Sequence, residues 1–380
     1  MRCPACDLAS LTHTADLGVV PALCGVTFDT AAAAVGSTRG EMRLAHCPRC
    51  GHVVNVAYDE ALIAYDGAYD NSLHHSATFA GYATELAKRL AADYQLAGAT
   101  VLELGCGKGD FLRELCTVAS AHGLGYDASY QGPEQVDGVR FVSGFLDLDH
   151  PGGDAPTPDF LVSRHVLEHL ADPYHFLVGL RGLAGDREVR GYLEVPNASY
   201  DFATAGWDCI YPHVSYFNAR SLIELVRRAG FQVRRLGTGF DDIFLYAEIT
   251  TRPDGPSPTA GGVAERQLAQ LATFATRYPA TLARWRTRIT GGGRVLLWGA
   301  GARGVAFLNA VDPQRRIAGV TDVNPGKWGR YLPVTGHLVS PPATVAALRP
   351  DTVIITNPAY RGEIAEQLAE LGVTAEVMVA

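Results

Sequence analysis

Two pairs of cysteines near the start of the chain have the residue type and spacing of metal ligands. Two residues separate Cys3 from Cys6, and two residues separate Cys47 from Cys50. Such spacing lets two thiolates of one turn reach the same ion, and four thiolates complete the tetrahedral shell of a structural Zn²⁺. A complete shell has no open position, so we expect this metal to stabilise the fold and to take no part in chemistry. Free thiols and a redox pair are the alternative interpretations.

A glycine-rich segment follows an apolar run in the first third of the chain. Glu103 precedes three glycines at alternate positions, Gly105, Gly107 and Gly109, and a helix-like pattern comes next. This order predicts a strand, a tight turn and a helix, in which glycines let a ligand approach the bare backbone. The next predicted strand ends at Asp127, about twenty residues on, where a carboxylate can accept both hydroxyls of a ribose.

A second glycine-rich turn lies near residue 300. The spacing G-x-G-x-x-G is formed by Gly299, Gly301 and Gly304, and Asp322 ends the next predicted strand. Taken alone, this pattern predicts a nicotinamide-dinucleotide site. A helix N-terminus can also hold the phosphate of another small molecule, and Asn357 and Tyr360 follow a neighbouring predicted strand and could meet the same ligand. Acceptor binding, a vestigial scaffold and NAD(P) binding are the three interpretations.

An aromatic segment at 207–217 is dense in groups that can move protons or bind a polar molecule. Its candidate residues are Tyr211, His213, Ser215 and Tyr216. An imidazole that titrates near neutral pH suits proton abstraction, so His213 is the candidate general base. A structural histidine is the alternative interpretation.

Composition restricts the class of protein. The chain has 380 residues, 47% of them hydrophobic, and a net charge of −8 with no dense basic run. We expect two or three domains of roughly 150 residues and no nucleic-acid partner, because phosphate binding needs a positive surface. No apolar stretch reaches the ~18–20 residues of a membrane helix and the N-terminus has no secretory pattern, so we predict a cytoplasmic enzyme. Oligomeric state is not predicted.

The pattern of elements predicts an α/β protein with a parallel sheet. Predicted strands lie at 101–104, 123–126, 160–163, 191–195, 231–236 and 243–249. Predicted helices lie at 61–95, 107–120, 172–184, 219–229 and 263–288. We predict an N-terminal lobe over 1–60, an α/β domain over 61–250, a linker and helix over 251–290, and a second α/β domain over 291–380.

The first glycine turn resembles motif I of the class I S-adenosylmethionine (SAM) methyltransferases. This resemblance implies that SAM binds at Gly105, Gly107 and Gly109, with its ribose on Asp127. It implies that Glu103 orders the turn and holds the amino group of SAM through water. It also implies that the adenine of SAM lies along Gly144, Phe145 and Leu146. The backbone of His165, just after the fourth strand, would line the methionine part of SAM.

Nearly the whole chain resembles the zinc-containing C-methyltransferases, whose best-known members methylate nucleotide-linked keto-deoxysugars. The cysteine pairs, both glycine turns and the segments around Tyr69, His165, His213 and Asn357 carry the likeness. The resemblance implies a class I methyltransferase sheet between a small zinc-binding lobe and a C-terminal Rossmann-like domain that covers the substrate. It implies that His213 removes a proton beside a ketone and that the enolate carbon takes the methyl group.

The resemblance also implies roles for residues near His213. Tyr211, Tyr216 and Tyr69 would position the acceptor or relay protons. Acceptor-binding residues would be Ser215, Gly301, Asn357 and Tyr360. The chain departs from the family at Pro212, where the family has Glu, and at Ile210, where it has an aromatic residue.

That departure puts the sugar acceptor in question. A methyltransferase acting on oxygen or nitrogen of a non-sugar metabolite is the first alternative. An NAD(P)-dependent oxidoreductase, or a bifunctional enzyme that uses the C-terminal unit, is the second. A non-enzymatic scaffold is the third, and the Glu103–Asp127 pair speaks against it.

Overall fold

Three β-sheets organise the chain in the computed structural model, which describes residues 1–63, 72–150, 157–253 and 255–380. The strands of the described residues are β1 (Thr12–Pro21), β2 (Arg39–His46), β3 (Val53–Asn55), β4 (Thr100–Leu104), β5 (His122–Asp127), β6 (Gln135–Val136), β7 (Val139–Ser143), β8 (Phe160–Arg164), β9 (Arg190–Pro196), β10 (Ser215–Tyr216), β11 (Gln232–Gly239), β12 (Phe244–Thr250), β13 (Val295–Trp298), β14 (Gly319–Thr321), β15 (Val339–Ser340), β16 (Thr352–Ile355) and β17 (Glu376–Val379). The α-helices are α1 (Ala31–Val35), α2 (Ala77–Tyr94), α3 (Asp110–Ala119), α4 (Pro173–Ala184), α5 (Ala219–Arg228), α6 (Val263–Thr290), α7 (Ala302–Val311), α8 (Val345–Leu348) and α9 (Arg361–Glu370). Short 3-10 helices lie at Glu60–Leu62, Leu167–His169, Gly206–Asp208, Pro325–Lys327, Pro342–Thr344 and Pro358–Tyr360. No helix among these described residues is both long and apolar enough to cross a membrane.

The N-terminal sheet is antiparallel and has the order β1-β2-β3-β10. Its last strand comes from far along the chain, because Ser215 pairs with Val54 and Tyr216 with Val53. The segment that carries His213 is therefore anchored to the N-terminal lobe.

The central sheet has the order β11-β12-β9-β8-β4-β5-β7-β6. The strands from β9 to β7 are parallel, while β12 runs antiparallel to β9 and β11 antiparallel to β12. The carboxyl ends of β4, β5 and β8 meet at one edge, where open α/β sheets bind ligands. That edge brings together the first glycine turn, Asp127 and His165. Each of the strands listed above for this sheet is present, and β7 and the two-residue β6 extend it at one edge.

Helix α2 begins later than the helix predicted over 61–95. In the described part of this range, Glu60–Leu62 forms a 3-10 turn, Ile63 is extended, and the α-helix starts at Ala77. Ser76 explains this start, because its hydroxyl accepts a hydrogen bond from the N–H of Phe79 and so caps the helix. The buried face of α2 has the predicted spacing and includes Phe79, Leu86 and Leu90.

The C-terminal sheet is parallel and has the order β15-β14-β13-β16-β17. Chain order reverses between β13 and β16, and ligands bind in the crevice that such a reversal leaves at the carboxyl ends. The second glycine turn follows β13 and Asn357 follows β16, so both lie at this crevice. Helix α6 covers the unit and shares a buried core with Trp207 and Phe307. This core packs the C-terminal domain against the segment of His213.

Candidate active site

One cavity of about 690 Å³ reaches both glycine turns. Its wall includes Gly105 and Gly107 of the first turn, Gly299 and Gly301 of the second, and His213 from the segment between them. Ligands bound at the two turns would therefore share one open cavity with the candidate base.

The first glycine turn bonds directly to Asp127. The N–H of Gly107 donates to Oδ2 of Asp127 at 2.8 Å, and Ser129 donates to Oδ1 through its N–H and its hydroxyl at 2.7 and 2.6 Å. Gly107 has a φ of +57° and a side chain there would meet nothing within 4 Å. Its backbone is thus open to the cavity, as the glycine pattern predicts.

The other two glycines of the first turn serve packing as well. A Cβ on Gly105 would lie 2.1 Å from Cγ2 of Val166, and a Cβ on Gly109 would lie 2.6 Å from the ring of Phe141. Gly109 caps α3. The cavity wall includes Gly105 but not Gly109, so close packing explains the third glycine better than ligand contact.

Glu103 is a buried carboxylic acid at the bottom of this end of the cavity. It is 3% exposed, and its Oε2 has no hydrogen-bond partner among the described residues. Burial raises the pKa of Glu103 to about 8, although Arg164 opposes the shift. A ligand that brings a positive charge would favour loss of this proton.

The predicted adenine-side residues lie on the same wall. Gly144, Phe145 and Leu146 line the cavity, and Phe145 is 82% exposed, so its ring is available for a flat ligand to contact. Gly144 adopts a φ of +147°, which an L side chain rarely adopts.

His165 lies where predicted, just after β8, and its side chain has an electrostatic role that the sequence did not indicate. Its backbone has a φ of +56°, and its ring faces Oε1 of Glu168 at 3.6 Å and Oε1 of Glu194 at 3.3 Å. These two carboxylates outweigh burial and raise the pKa of His165 to about 9. His165 is therefore an imidazolium at neutral pH.

A buried polar network below His165 was missed by sequence reasoning. Nε of Arg164 donates to Oε1 of Glu194 at 2.9 Å, and the hydroxyls of Tyr82 and Tyr192 donate to Oε2 of the same carboxylate. Arg164, His165 and Tyr126 line the cavity, while Glu194 is fully buried. Arg164 and Glu194 are neighbours only because β8 pairs with β9, so no local sequence signal could have found the pair.

His213 lines the same cavity as the two turns. Its ring centroid is 4.9 Å from that of His169 and 6.1 Å from that of Tyr216. Burial holds the pKa of His213 well below its usual value, and His169, His165 and Arg303 lower it further. The imidazole is therefore neutral at physiological pH, the form that can accept a proton.

The residues predicted around His213 take different positions. Tyr216 and Ser215 line the cavity, but the hydroxyl of Tyr216 donates to the carbonyl of Ile210 at 3.0 Å and that of Ser215 lies 3.2 Å from Nε2 of His52. Tyr211 does not line the cavity, since it is buried and its hydroxyl accepts from the N–H of Asp59 at 2.9 Å. Tyr69 lies outside the described residues.

The second glycine turn forms the other end of the cavity. Gly301 caps the N-terminus of α7, and Asn357 caps the 3-10 helix that contains Tyr360. All three residues line the cavity, and the buried hydroxyl of Tyr360 has no hydrogen-bond partner among the described residues. These predicted acceptor residues are therefore brought together with His213.

Two cations at this end were not singled out from the sequence. Nε of Arg303 lies 3.1 Å from Oδ1 of Asp208, and Nζ of Lys327 lies 3.4 Å from Oδ2 of Asp322. Both cations line the cavity. Arg303 stands inside the G-x-G-x-x-G segment, and that position was the available signal.

The four cysteines of the two predicted pairs converge in the N-terminal lobe. Their sulfur atoms lie within 4.8 Å of one another, with Cys3 and Cys50 at 3.7 Å and Cys6 and Cys47 at 3.5 Å. These separations are close to the edge of about 3.8 Å that four Zn–S bonds of about 2.3 Å give a tetrahedron. All four are buried, and the donor set fits a structural Zn²⁺.

The cysteine cluster is tied to the segment of the candidate base. Nδ2 of Asn218 donates to the carbonyl of Cys50 at 3.0 Å, and Arg228 donates to the carbonyls of Pro4 and Ala5. His52, which follows the second pair, contacts Ser215. Stability of the cluster and placement of His213 are thus linked.

Comparison with protein families assigns both halves of the cavity. Residues 74–236 match the model of a methyltransferase domain, and residues 269–378 match that of a C-methyltransferase C-terminal domain. The protein is a SAM-dependent methyltransferase with a C-methyltransferase C-terminal domain. These matches and the sheet order confirm the predicted class I methyltransferase fold.

Solved structures are similar to this methyltransferase over somewhat less than half of its length. Magnesium protoporphyrin IX methyltransferase from Synechocystis PCC 6803 with bound SAH is 18% identical, with 46% of this chain and 84% of that chain covered and a TM-score of 0.36. A SAM-dependent methyltransferase from Mesorhizobium loti is 17% identical, with 45% of this chain and 99% of that chain covered and a TM-score of 0.36. Neither likeness bears on the acceptor. Comparison with curated proteins gave no match.

Proposed function

We propose that this methyltransferase transfers a methyl group from SAM to a carbon atom beside the ketone of a small acceptor, with a nucleotide-linked keto-deoxysugar as the leading substrate class. One observation carries the proposal: a single cavity joins the SAM turn to the turn of the C-methyltransferase C-terminal domain, and neutral His213 lines that cavity. A base in that position meets the acceptor and the methyl donor in one space.

The end of the cavity at the first glycine turn, here called the donor end, would hold SAM through backbone and carboxylate groups. Gly107 offers its backbone, Asp127 has oxygen lone pairs for the ribose hydroxyls, and Glu103 faces the end where the amino group of SAM is expected. When bound, SAM supplies a methyl group on a positively charged sulfur, which a carbon nucleophile can displace. A positive ligand also offsets the group of carboxylates formed by Glu103, Asp127 and Asp110.

His213 makes the carbon nucleophile by removing a proton. The C–H bond beside the ketone breaks, the proton passes to the imidazole, and the electron pair becomes an enolate. A neutral ring is required for this step, and the low pKa of His213 keeps the ring neutral. The enolate carbon then forms a bond to the methyl group while the methyl–sulfur bond breaks and its electron pair stays on the sulfur of the leaving S-adenosylhomocysteine, so the acceptor gains a methyl in place of the proton.

The end of the cavity at the second glycine turn, here called the acceptor end, suits an anionic group on a small molecule. Gly301 and the first residues of α7 line the cavity, and helix N-termini favour anions such as phosphate. Arg303 and Lys327 line the same end, and Tyr360 and Asn357 supply polar groups. This set supports an acceptor that carries phosphate, as a nucleotide-linked sugar does.

The pair of Lys327 and Asp322 favours an acceptor over NAD(P) at the second turn. A dinucleotide would need Asp322 for its ribose hydroxyls. That carboxylate already accepts from the N–H groups of Ala300 and Asn324 at 2.6 and 2.8 Å and faces Lys327. Asp127 also accepts bonds from its own turn, so the cation Lys327 is what distinguishes Asp322 from the ribose ligand of the first turn.

Calorimetry separates the methyltransferase from the oxidoreductase. We expect SAM and S-adenosylhomocysteine (SAH) to bind with a stoichiometry near one and NAD⁺ to bind weakly or not at all. Tight NAD⁺ binding without SAM binding would contradict the proposal.

Hydrogen exchange in D₂O tests the chemistry. We incubate the enzyme and SAH with dTDP-4-keto-6-deoxyglucose and follow loss of the proton beside the ketone by NMR. Wild type should exchange this proton, and His213→Ala should not. Equal rates in the two proteins would remove His213 from the base role.

A further inference from the structure

We infer that Glu168 is the carboxylate that positions His213 and stabilises the imidazolium formed when His213 takes the proton of the acceptor. Glu168 is a positioning residue, since it acts through His213. The inference rests on the proposed function, because it needs His213 to be the base.

Glu168 is buried and incompletely bonded on the cavity wall. It is 1% exposed, and its Oε2 has no hydrogen-bond partner among the described residues. One carboxylate oxygen of Glu168, one ring nitrogen of His169 and one ring nitrogen of His213 lie within 4.8 Å of one another. Buried polar atoms are almost always paired, so an unsatisfied carboxylate oxygen beside a candidate base indicates a partner that forms during the reaction.

Backbone contacts hold Glu168 and His213 in register. The N–H of Val214 donates to the carbonyl of Glu168 at 2.7 Å, and Nδ1 of His169 bonds to the carbonyl of Pro212 at 2.9 Å. Both chain neighbours of His213 are thus bonded to the Glu168–His169 turn. The other carboxylate oxygen of Glu168 faces the His165 imidazolium at 3.6 Å, which limits its rotation.

Charge explains why His213 needs this carboxylate. His165 and Arg303 are cations that act on His213, and His169 and Tyr216 lie against its ring. Protonation of His213 in these surroundings puts another positive charge near two cations. Glu168 brings a negative charge to the same place, and a carboxylate beside a catalytic histidine both orients the ring and stabilises its charged form.

The proton balance of the step is complete with these groups. The acceptor C–H bond gives its proton to His213 and its electron pair to the enolate. The new positive charge on His213 is offset by the carboxylate of Glu168. His213 returns the proton to solvent after the methylated product leaves.

The test compares Glu168→Gln, Glu168→Asp and the control Glu248→Gln. Glu248 is 2% exposed and is bonded to Arg89 and Tyr94, so its variant removes an equally buried charge away from the cavity. Each protein is incubated with SAH and dTDP-4-keto-6-deoxyglucose in D₂O over a range of pH. SAH affinity, measured by calorimetry, reports whether the donor end is intact.

We expect Glu168→Gln to lower the plateau exchange rate by about tenfold to 100-fold, the range of one acid–base contribution. Loss of the anion should also move the acid limb of the pH profile to lower pH, because it lowers the pKa of His213. SAH affinity should change by less than about twofold, and Glu168→Asp should recover part of the rate. Glu248→Gln should keep the wild-type rate and profile.

Three results would overturn the inference, and they are distinguishable. If wild type exchanges, His213→Ala does not, and Glu168→Gln matches wild type, Glu168 has no role while His213 remains the base. If wild type exchanges no faster than His213→Ala, the proposed function fails and the inference fails with it. If Glu168→Gln loses a divalent ion beyond that held by the four cysteines, measured by elemental analysis, the Glu168–His169–His213 cluster is a metal site.

Discussion

The two glycine turns of this methyltransferase share a local design and differ in their surroundings. In each, an acid at the end of the second strand accepts an N–H of the turn: Asp127 from Gly107 at 2.8 Å, and Asp322 from Ala300 at 2.6 Å. Asp322 is buried and faces Lys327, whereas no Lys or Arg of the described residues forms an ion pair with Asp127. The first acid can thus accept the ribose of a positively charged donor, while the second is already neutralised.

This difference teaches that the strand–turn–helix motif alone does not choose a ligand. The spacing G-x-G-x-x-G of the second turn is the better dinucleotide fingerprint of the two, yet it lies within a C-methyltransferase C-terminal domain. We infer that the charges around each turn, which neighbouring elements supply, determine which ligand binds there.

The largest expected effect is on the first turn. Gly107→Val should weaken SAH binding by more than about 100-fold, because φ of +57° is costly for a β-branched residue and the new side chain fills the cavity. Gly301→Val is the matched variant in the second turn, where φ is −81°. It should leave SAH affinity within about twofold, as measured by calorimetry, and reduce methyl transfer. Equal loss of SAH binding in both variants would contradict the conclusion that the two turns bind different ligands.

Metal removal should impair proton abstraction by His213 and leave SAH binding at the donor end nearly unchanged. Chelation, or Cys47→Ser, should release the ion, loosen the contact of Asn218 with Cys50 and lower the D₂O exchange rate by about 100-fold. SAH affinity should stay within about threefold, since the first turn lies on the central sheet. Cys116→Ser is the control, as this buried cysteine on α3 is outside the cluster. Full exchange by metal-free protein would contradict the structural role.

A smaller effect is expected at the second turn. Arg303→Met should raise the KM for the sugar nucleotide by about tenfold and leave the KM for SAM unchanged, because one cation at the acceptor end is lost. Arg286→Met, which alters an exposed contact with the carbonyl of Ala310, is the control. Steady-state methyl transfer from labelled SAM measures both constants. A rise confined to the KM for SAM would indicate that Arg303 helps to bind SAM and not the acceptor.

The smallest effect is proton release at Glu103. Because its pKa is about 8, the carboxyl group of Glu103 is largely protonated at pH 7 in the free enzyme. Binding of the cationic donor favours the ionised carboxylate. SAM binding should therefore release up to about one proton, and affinity should rise with pH until about 8 and then level off. Calorimetry in buffers of different ionisation enthalpy measures this release. Glu103→Gln should abolish it, and an unchanged release would assign the proton to another group.

Much of the central fold could be predicted because its strands are short apolar runs that end at glycine or acidic residues. The predicted strand at 101–104 is the observed β4 with one added residue, and the predicted helix at 219–229 is α5. The N-terminal sheet was not predicted. Its β10 is two residues long and pairs with Val53 and Val54, and such a distant pairing leaves no local pattern.

The candidate site was predicted unevenly for the same reason. Glu103, Asp127, Gly301 and Asn357 were found because each follows or ends a strand at a recognisable turn. Tyr211 was assigned to the site by its position beside His213, but its hydroxyl bonds to Asp59 and it does not line the cavity. Direction of a side chain in an irregular segment depends on packing that the spacing does not reveal.

By itself, the sequence determined the two glycine turns, the two cysteine pairs and the aromatic segment of His213, because the residues of each motif lie close together in the chain. The tertiary structure alone decided that the four cysteines converge, that both turns line one cavity, that Lys327 pairs with Asp322, and that Glu168 lies near His213. Those relations depend on which strands and domains pack side by side. Charges then act through space on groups that are distant in the chain.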